Sequence, residues 1–373
     1  MSFAFNIASA AKVHHADIVA FGFDKKLSKA FIELSEIIYK SDRLRIQPLK
    51  SSILQQLDET NPWYQRGEAC HFLLPGAGRI SAFHTADSAI GYVGFFECIE
   101  NFGVAERLLA SAVGWLHGRG SKIVRGPINF DTWHSYRFVT KGSEFPPFFL
   151  EPYHPPYYPT FWERYGFAAS ARYCSHQHDD MSQIVAALEP HYQKALRSAF
   201  TFRPLDLGRW SEELRLYHEL SCEIFRANWG YTPLGFSEFA RLYAASRPLL
   251  DTGMSWFAQD RAGHYVGFIF GLPDHSRAIR AMRGASGPVG AMRFLGARRK
   301  PTSAILKTLG VLPAARGSNV GFALGYLFHR QLLEQGYQQA IHALMLDDNA
   351  SRRMSFTKGG RMMREYAVFD LTL

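Results

Sequence analysis

The chain has 373 residues, with 42 Lys and Arg against 33 Asp and Glu, a formal charge of +9 and a pI near 9.3. This length indicates about two domains, and 47% apolar residues with 14% aromatics exclude wholesale disorder. The positive charge favours an anionic partner: a phosphorylated cofactor, a membrane surface, an acidic carrier protein or nucleic acid. An inert basic surface is the alternative.

The chain has four cysteines, far apart in sequence: Cys70, Cys98, Cys174 and Cys222. No CxxC or Cys/His spacing typical of a metal site is present, so we expect core thiols, a reduced cytosolic compartment and no metal. Lys12, His14 and His15 interrupt the first apolar stretch, which predicts no secretory leader. No apolar run approaches the roughly 20 residues of a membrane-spanning helix, so any membrane contact would be peripheral.

The first half of the chain alternates helical and strand-like patterns. Apolar residues at helical spacing predict helices over 26–42 and 103–120, the second ending at a glycine. Strand patterns lie at 69–75, 79–85, 90–100 and 122–130. A short helix within "YHPPYYPTFWERYGF" is predicted to end at Gly166, and another strand follows it.

The second half of the chain repeats this order. The predicted elements are a helix at 212–230, a hairpin at 253–274, a strand at 303–313, a helix at 320–336, a strand at 338–349, a short helix at 350–360 and a closing strand at 364–373. Two α/β units of similar order indicate a duplication. We place the join near Gln183–Pro204 and expect domains at 1–190 and 191–373.

One segment of the second half has no counterpart in the first. No acidic residue lies between Asp274 and Glu334, where basic residues mix with apolar ones. The basic cluster comprises Arg277, Arg280, Arg283, Arg293, Arg298, Arg299 and Lys300. A solvated loop is the default for such a charge run. The alternative is peripheral membrane contact through 277–300, or contact with an acyl carrier protein or with cofactor phosphates. No recognised nucleic-acid module accompanies the charge, which argues against nucleic acid.

The stretch "VLPAARGSNVG", residues 311–321, joins a predicted strand to a predicted helix. Unpaired N–H groups at a helix N-terminus carry partial positive charge and attract phosphate. Gly317 and Gly321 would let a pyrophosphate approach the backbone, and Arg316 would add a charged donor. The stretch is neither a Walker A motif nor the dinucleotide-binding GxGxxG. Taken alone, it is equally typical of a structural turn.

This loop resembles the acyl-CoA loop of the GNAT superfamily of N-acyltransferases, where Arg/Gln-x-x-Gly-x-Gly/Ala at a helix start holds a pyrophosphate. Downstream, "DDNASRRMSFTKGG" is similar to the family's Asn-initiated helix. The first half resembles a second, degenerate copy, because "YHPPYYPTFWERYGF" looks like the family's terminal helix while "NFGVAERLL" lacks the loop. The resemblance implies an α/β fold of two tandem GNAT-like units, each a mixed central sheet flanked by helices.

The resemblance also implies a donor, acetyl-CoA or another acyl-CoA, with an acyl carrier protein as the alternative. The residues expected to bind the donor are Gly310, Val311, Arg316, Gly317, Ser318, Asn319, Val320, Gly321 and Asn349. By this resemblance the strand near Gly310 and Val311 supplies the backbone donor to the acyl carbonyl.

The acid and base of acyl transfer are less evident in the sequence. The family often supplies a tyrosine as the acid, but Phe356 stands at that position. The catalytic candidates are His342, Asp347, Tyr366 and Glu97. His342 is of the type suited to a base near neutral pH, yet it alternates with leucines as a core histidine does. Asp347 is equally typical of a helix cap. Glu97 lies in an apolar strand, where a carboxylate needs a partner, and would line a substrate cleft or make a structural contact.

The sequence supports two hypotheses of function, an enzyme and a binding protein. The first is an N-acyltransferase acting on a lipid, sphingoid, amino-acid or natural-product amine. Segments such as "NPWYQRGEACHFLL" and "RGPINF" resemble a branch of bacterial GNAT proteins related to lipid-directed members, ceramide synthases among them. The second is a non-catalytic GNAT pair that binds acyl-CoA or lipid. For both we expect a cytoplasmic or membrane-peripheral protein.

Overall fold

The structure, a computed structural model, describes residues 17–244, 246–357 and 359–373. The expectation for the segment with Lys12, His14 and His15 lies outside the described residues. Within them the strands are β1 (Val19–Phe21), β2 (Glu68–Leu74), β3 (Gly78–His84), β4 (Ile90–Cys98), β5 (Ile123–Gly126), β6 (Phe138–Lys141), β7 (Ala168–His178), β8 (Thr201–Pro204), β9 (Ser255–Gln259), β10 (Tyr265–Pro273), β11 (Ser303–Val311), β12 (Gln339–Leu346) and β13 (Arg361–Thr372).

The α-helices of the described residues confirm the predicted alternation of elements. They are α1 (Lys25–Ile38), α2 (Lys50–Leu57), α3 (Phe102–His117), α4 (Tyr157–Tyr165), α5 (Met181–Arg197), α6 (Trp210–Ile224), α7 (Phe236–Tyr243), α8 (Ser276–Met282), α9 (Gly287–Ala297), α10 (Val320–Glu334) and α11 (Ala350–Thr357). The basic segment 277–300 differs from the expected loop, because α8 and α9 occupy most of it. None of the described helices is both long and apolar enough to cross a membrane.

The chain forms two compact units, each assembled from segments that are distant in sequence. Unit 1 contains the described residues up to Ala171 together with Ile279–Phe294 and Ala367–Leu373. Unit 2 contains Arg172–Ala278 and Leu295–Tyr366. Strand β13 therefore begins in unit 2 and ends in unit 1. The division at 190/191 that we expect for the sequence duplication stays a prediction.

Each unit has a mixed sheet, which confirms the predicted α/β class. In unit 1 the strand order is β1-β2-β3-β4-β5-β13, and β6 pairs with β13. Strands β4 and β5 are parallel there, while the pairs β2–β3, β3–β4 and β5–β13 are antiparallel. In unit 2 the order is β7-β12-β11-β10-β9-β8, with β11 and β12 parallel and their neighbours antiparallel.

Helix α10 is apolar on almost every side because it is covered on two faces. Its Leu324 and Phe328 belong to the core that includes sheet residues, whereas Leu327 packs with Ile184 and Leu188 of α5. The run "VGFALGYLF" lies in this covered part of the helix and needs no polar face, whereas the last turn exposes Arg330, Leu333 and Glu334.

The C-terminal half of β13 completes the core of unit 1. Phe369 is fully buried in the cluster that holds Leu108 of α3 and Trp162 of α4. We expect Phe369→Ala to destabilise unit 1 by about 3–5 kcal/mol, since the truncation leaves a cavity. Hydrogen exchange measured along the chain should show lost protection in α3 and α4.

The control is Leu373→Ala, whose side chain is exposed. Unchanged protection in α3 and α4 of the Phe369→Ala variant would show that β13 does not support this core.

Candidate functional site

The loop between β11 and α10 has two residues in the left-handed region of backbone space. Gly317 has a φ of 83°, and Asn319 has φ and ψ of 68° and 0°. Glycine adopts such angles without strain, and asparagine tolerates them better than most residues. Gly317 is exposed, and a Cβ atom there would meet nothing within 4 Å. The chain therefore turns into the helix and leaves open space beside Gly317.

Asn319 precedes α10 but does not cap it. Its side chain makes no hydrogen bond to the first turn; its Oδ1 instead accepts one from Nδ1 of His191 on α5, at 2.8 Å. The His191 ring also stacks on Phe322, with ring centroids 4.3 Å apart. No described residue accepts a hydrogen bond from the N–H of Val320, Gly321 or Phe322. The start of α10 therefore presents unpaired donors, the arrangement that binds phosphate.

The corresponding helix of unit 1 starts differently. Asn101 precedes α3 with an extended backbone, at φ −148°, and its side chain accepts a hydrogen bond from the N–H of Val104. That contact satisfies one of the first-turn donors. Asn101 thus caps α3, whereas the left-handed backbone of Asn319 and its contact with His191 leave the start of α10 uncapped.

A gap opens between the parallel strands β11 and β12. Ser303–Leu306 pair with Gln339–His342, and the pairing ends there. β12 then shifts register near Leu344, which has a φ of 59°, and continues alongside β7. On the β12 side, residues 308–311 have no strand neighbour among the described residues. An extended ligand can therefore pair with this edge as an added strand would.

A β-bulge lies where the gap begins. On β10, Phe270 pairs with Thr308 while the next residue, Gly271, pairs with Leu306, so that Lys307 is an extra residue on β11. A bulge bends its strand and redirects the backbone groups that follow. The bulge therefore aims the open edge of β11 away from β12.

In unit 1 the corresponding gap is filled. β4 and β5 pair over Ile90–Tyr92 only. Beyond that point the N–H of Ile128 donates to the carbonyl oxygen of Val93 at 2.8 Å. The N–H of Phe95 donates to Oδ1 of Asn129 at 2.7 Å. The segment after β5 thus satisfies the edge of β4, whereas the corresponding edge of β11 stays open.

His342 lies in a buried network around Ser355. The Ser355 Oγ lies 2.8 Å from Nδ1 of His342, 3.1 Å from Nδ1 of His176 and 3.0 Å from Nε2 of His178. The Nε2 atoms of His342 and His329 are 2.9 Å apart. All five side chains are at most 2% exposed. These contacts favour the core-histidine alternative for His342.

The contacts determine which atoms donate. The carbonyl of Gly325 only accepts, so Nδ1 of His329 donates to it at 2.7 Å. The Nε2 of neutral His329 then accepts from His342, whose Nδ1 in turn accepts the hydroxyl proton of Ser355. The two β7 histidines donate to the Ser355 oxygen. Burial lowers the pKa of these imidazoles, to about 3 for His329, which keeps them neutral near pH 7.

Tyr366 is also buried and engaged. Its hydroxyl lies 2.9 Å from Oγ of Ser175, and this Oγ accepts a hydrogen bond from the N–H of Leu344 at 3.0 Å. Only 1% of the Tyr366 side chain is exposed. The hydroxyl therefore lies directly behind the residue where β12 turns away from β11.

Asp347 and Asn349 lie at the start of α11. Asp347 Oδ1 is 3.5 Å from Nε of Arg352, and Asn349 Oδ1 accepts from the N–H of Ser351 at 3.1 Å. Asn349 is thus the cap of α11, as its place before the helix suggests. The side chain of Phe356 lies outside what the structure describes.

Glu97 has the partners that a carboxylate in an apolar strand needs. Its Oε2 accepts from the hydroxyl of Tyr158 at 2.8 Å, and its Oε1 lies 3.6 Å from the Arg79 guanidinium. These contacts within unit 1 support the structural alternative for Glu97.

The described residues offer no cluster suited to a metal ion, and Cys174 beside the histidine network is not a reactive thiolate. Across residues 17–244, 246–357 and 359–373, no group of three His, Cys, Asp or Glu side chains is arranged to hold a metal ion. The four cysteines are free thiols. Burial raises the pKa of Cys174 to about 11, so this thiol is protonated near pH 7 and is a poor nucleophile.

Comparison with solved structures decides the fold. A tandem GNAT protein from the clavulanic acid biosynthesis pathway, solved without acetyl-CoA, superposes with a TM-score of 0.55 at 11% sequence identity. The match covers 96% of this chain and 98% of that protein. The chain has the fold of a tandem GNAT protein. This confirms the tandem GNAT-like architecture that the resemblance to the GNAT superfamily implies.

Two curated bacterial proteins match this chain over nearly its whole length. A bacterial ceramide synthase from Caulobacter vibrioides is 24% identical over 364 residues, which is 92% of this chain and 94% of the relative. Protein YghO from Escherichia coli is 23% identical over 379 residues, 96% of each chain. No family model matches the sequence.

Several features of this candidate site are not predictable from the sequence. His191 belongs to a helix far from the loop in sequence, and no local pattern links it to Asn319. The bulge at Lys307 lies in an ordinary apolar strand. The alternation of Cys174, His176 and His178 does place these three side chains on one face of β7. That spacing is a signal from which a polar cluster was predictable.

The histidine network predicts a specific loss of stability in acid. Burial lowers the pKa of His178 from 6.5 to about 4, so between these values the unfolded chain binds a proton that the folded chain does not. The stabilising contribution is fully present above pH 6.5 and is lost as the pH falls towards 4. His178→Gln, which keeps an N–H donor, should reduce the slope of unfolding free energy against pH near pH 5 by about 1.4 kcal/mol per pH unit.

Urea titrations of the full chain at several pH values between 4 and 7.5 measure this slope. The control is the His264→Gln variant, because the His264 side chain is exposed. Equal slopes for His178→Gln and the unmodified chain would show that His178 titrates normally when folded.

Proposed function

We propose that the chain is an N-acyltransferase that moves an acyl group from acyl-CoA to an amine, with unit 2 binding the donor. The observation that carries this proposal is the uncapped start of α10 beside the open edge of β11. The GNAT fold and the full-length match to a bacterial ceramide synthase support acyltransferase activity in general terms. An acyl carrier protein is the alternative donor.

The two parts of the donor would occupy two neighbouring features. Its pyrophosphate would accept hydrogen bonds from the N–H groups of Val320 and Gly321, with Arg316 supplying a full positive charge. Arg316 is exposed and has an extended backbone at the start of the left-handed segment. The amides of the pantetheine arm would pair with residues 308–311 as a short added strand. This places the thioester near the β11 bulge.

The reaction forms one bond and breaks another. The neutral amine attacks the thioester carbonyl carbon, a C–N bond forms, the C–S bond breaks, and the amine's proton has to leave while the thiolate takes one up. A backbone N–H on the open edge of β11 beside the bulge at Lys307 would stabilise the oxyanion. The sequence resemblance puts this donor near Gly310 and Val311, where the proposed geometry puts the pantetheine arm instead. Tyr366, whose hydroxyl lies beside the β12 turn, is the candidate acid. To protonate the thiolate, this hydroxyl would have to leave its hydrogen bond with Ser175.

For the acceptor we propose a lipid or natural-product amine. The relative from Caulobacter vibrioides is a ceramide synthase by name, so long-chain amino alcohols are the first acceptors to examine. The assay is release of free thiol from acetyl-CoA and long-chain acyl-CoA in the presence of a panel of amines.

A non-catalytic acyl-CoA- or lipid-binding role is the second candidate. The observation that favours it is that His342 and Tyr366 are both buried and hydrogen-bonded. Saturable binding of acyl-CoA without thiol release on any amine of the panel would support this role over the enzyme.

The loop predicts a strong effect of charge at Gly317. Gly317→Glu should weaken acyl-CoA binding at least roughly tenfold, because it strains a backbone at φ 83° and places a carboxylate beside the pyrophosphate. Isothermal titration calorimetry with acyl-CoA measures the change.

The matched control is Gly263→Glu, an exposed turn position with a φ of 85° and equally open surroundings. It introduces the same strain and charge away from the loop. If Gly317→Glu binds acyl-CoA as well as Gly263→Glu does, the loop is not the pyrophosphate site.

His191 should act on donor binding through Asn319. In His191→Ala the freed Asn319 side chain can cap α10, and a cap is worth about 1 kcal/mol. We therefore expect acyl-CoA affinity to fall about fivefold. Adding Asn319→Gly should restore it, because glycine keeps the left-handed backbone and has no side chain to compete.

The measurement is again calorimetric titration of the single and double variants. A double variant that binds as weakly as His191→Ala would mean that His191 contacts the donor itself or supports the loop by packing on Phe322.

A further inference from the structure

Helix α9 exposes its apolar side chains instead of burying them. Val289, Met292 and Leu295 are 49%, 68% and 64% exposed. On the inner side Gly290 is buried, and Phe294 is partly covered. A helix on a protein surface ordinarily turns its larger apolar residues inward. In α9 the small residue faces inward and three larger ones face solvent.

The exposed residues form one continuous face. Met292 follows Val289 by three positions and Leu295 follows Met292 by three, the spacing that stacks side chains along a helix. Exposed apolar surface of this kind carries a free-energy cost in water and marks a contact surface when it is contiguous. The arrangement therefore needs an apolar partner.

The surroundings of this face are cationic. Arg293, Arg298, Arg299 and Lys300 are exposed, and no described carboxylate forms an ion pair with them. Lys300 donates to a backbone carbonyl oxygen, that of Gln335, and Arg293 to that of Met282. These contacts leave the positive charges uncompensated, which fits an anionic partner.

The insert that carries α9 is anchored from its inner side. The guanidinium Nε of Arg280 donates to the Leu44 carbonyl oxygen at 3.0 Å, and the Lys50 N–H donates to the Gly284 carbonyl oxygen at 3.3 Å. A Cβ on Gly290 would clash with the Ala285 carbonyl oxygen, so the buried side of α9 packs closely against the turn that precedes it.

We propose that α9 docks this protein on an anionic lipid bilayer. The helix has 11 residues, about 16 Å at 1.5 Å per residue, roughly half the thickness of the hydrocarbon core. It would therefore lie in the interface, with Met292 and Leu295 among the acyl chains and the basic residues on lipid phosphates. A bilayer supplies both the apolar and the anionic surface.

A second copy of the chain fits this face less well. Pairing two α9 faces would bring two sets of basic residues together, and like charges repel. An acidic protein such as an acyl carrier protein matches the charge, but three side chains that protrude from one helix face also need an apolar recess. The bilayer inference is independent of the proposed activity, because membrane binding is measured without turnover.

Vesicle co-sedimentation of the full chain tests the inference. We compare neutral phosphatidylcholine vesicles with vesicles containing about one-third phosphatidylglycerol, at low and high salt. The unmodified chain should bind the anionic vesicles at least roughly tenfold more tightly, and less tightly as salt rises.

Two variants separate the apolar and the ionic contributions. Met292→Glu/Leu295→Glu, and separately Arg298→Gln/Arg299→Gln/Lys300→Gln, should each lower vesicle affinity roughly tenfold or more. The matched control is Leu54→Glu/Leu333→Glu, two exposed leucines outside the insert. If the glutamate variant unfolds, Leu295→Trp in an otherwise unmodified chain serves instead. The fluorescence that this indole adds, taken as the difference from the unmodified chain with its seven tryptophans, should shift to the blue with anionic vesicles only.

Three outcomes would overturn the inference. The first is equal binding to neutral and anionic vesicles, or none to either. The second is a dimer that Met292→Glu/Leu295→Glu dissociates, which would assign the face to a second copy. The third is binding of an isolated acidic acyl carrier protein, sensitive to the same variants, without vesicle binding.

Discussion

The hydrogen bond from His191 to Asn319 is the contact on which the candidate site depends. It holds the side chain of Asn319 away from α10, while the left-handed backbone of Asn319 starts the helix without an extended cap. The first-turn N–H groups consequently remain unpaired and keep their partial positive charge. A conventional cap would stabilise the helix but remove the anion site.

The two units show how one architecture yields an open and a closed version of the same region. In unit 2 the bulge at Lys307 and the register shift at Leu344 separate β11 from β12, and nothing described pairs with the exposed edge. In unit 1, Asn129 satisfies the edge of β4 and Asn101 caps α3. Two asparagine side chains thus occupy, in unit 1, backbone donors whose counterparts stay unpaired in unit 2, with little change in strand order. Acyl-CoA binding is accordingly proposed for unit 2 alone.

Much of the fold was predictable because it follows from local periodicity. The helices and strands came from apolar spacing, and the duplication from their repeated order. The loop at 311–321 was predictable because glycines, an arginine and a helix start stand close together in sequence. His191, Ser355 and the strand edge were not, since they depend on pairs of residues far apart in the chain. The exposed face of α9 also needed the structure, because a sequence shows the basic and apolar mixture without showing which face is outward. The burial of His342 and Tyr366 equally depends on tertiary packing.

A crystal structure of the chain with a non-hydrolysable acyl-CoA tests the central claim most directly. We predict one donor molecule per chain, with pyrophosphate oxygens within hydrogen-bonding distance of the N–H groups of Val320 and Gly321 and the pantetheine arm along residues 308–311. Asn319 should keep its contact with His191 in that complex. A donor bound at the start of α3, or at α10 with Asn319 turned to cap the helix, would contradict the account.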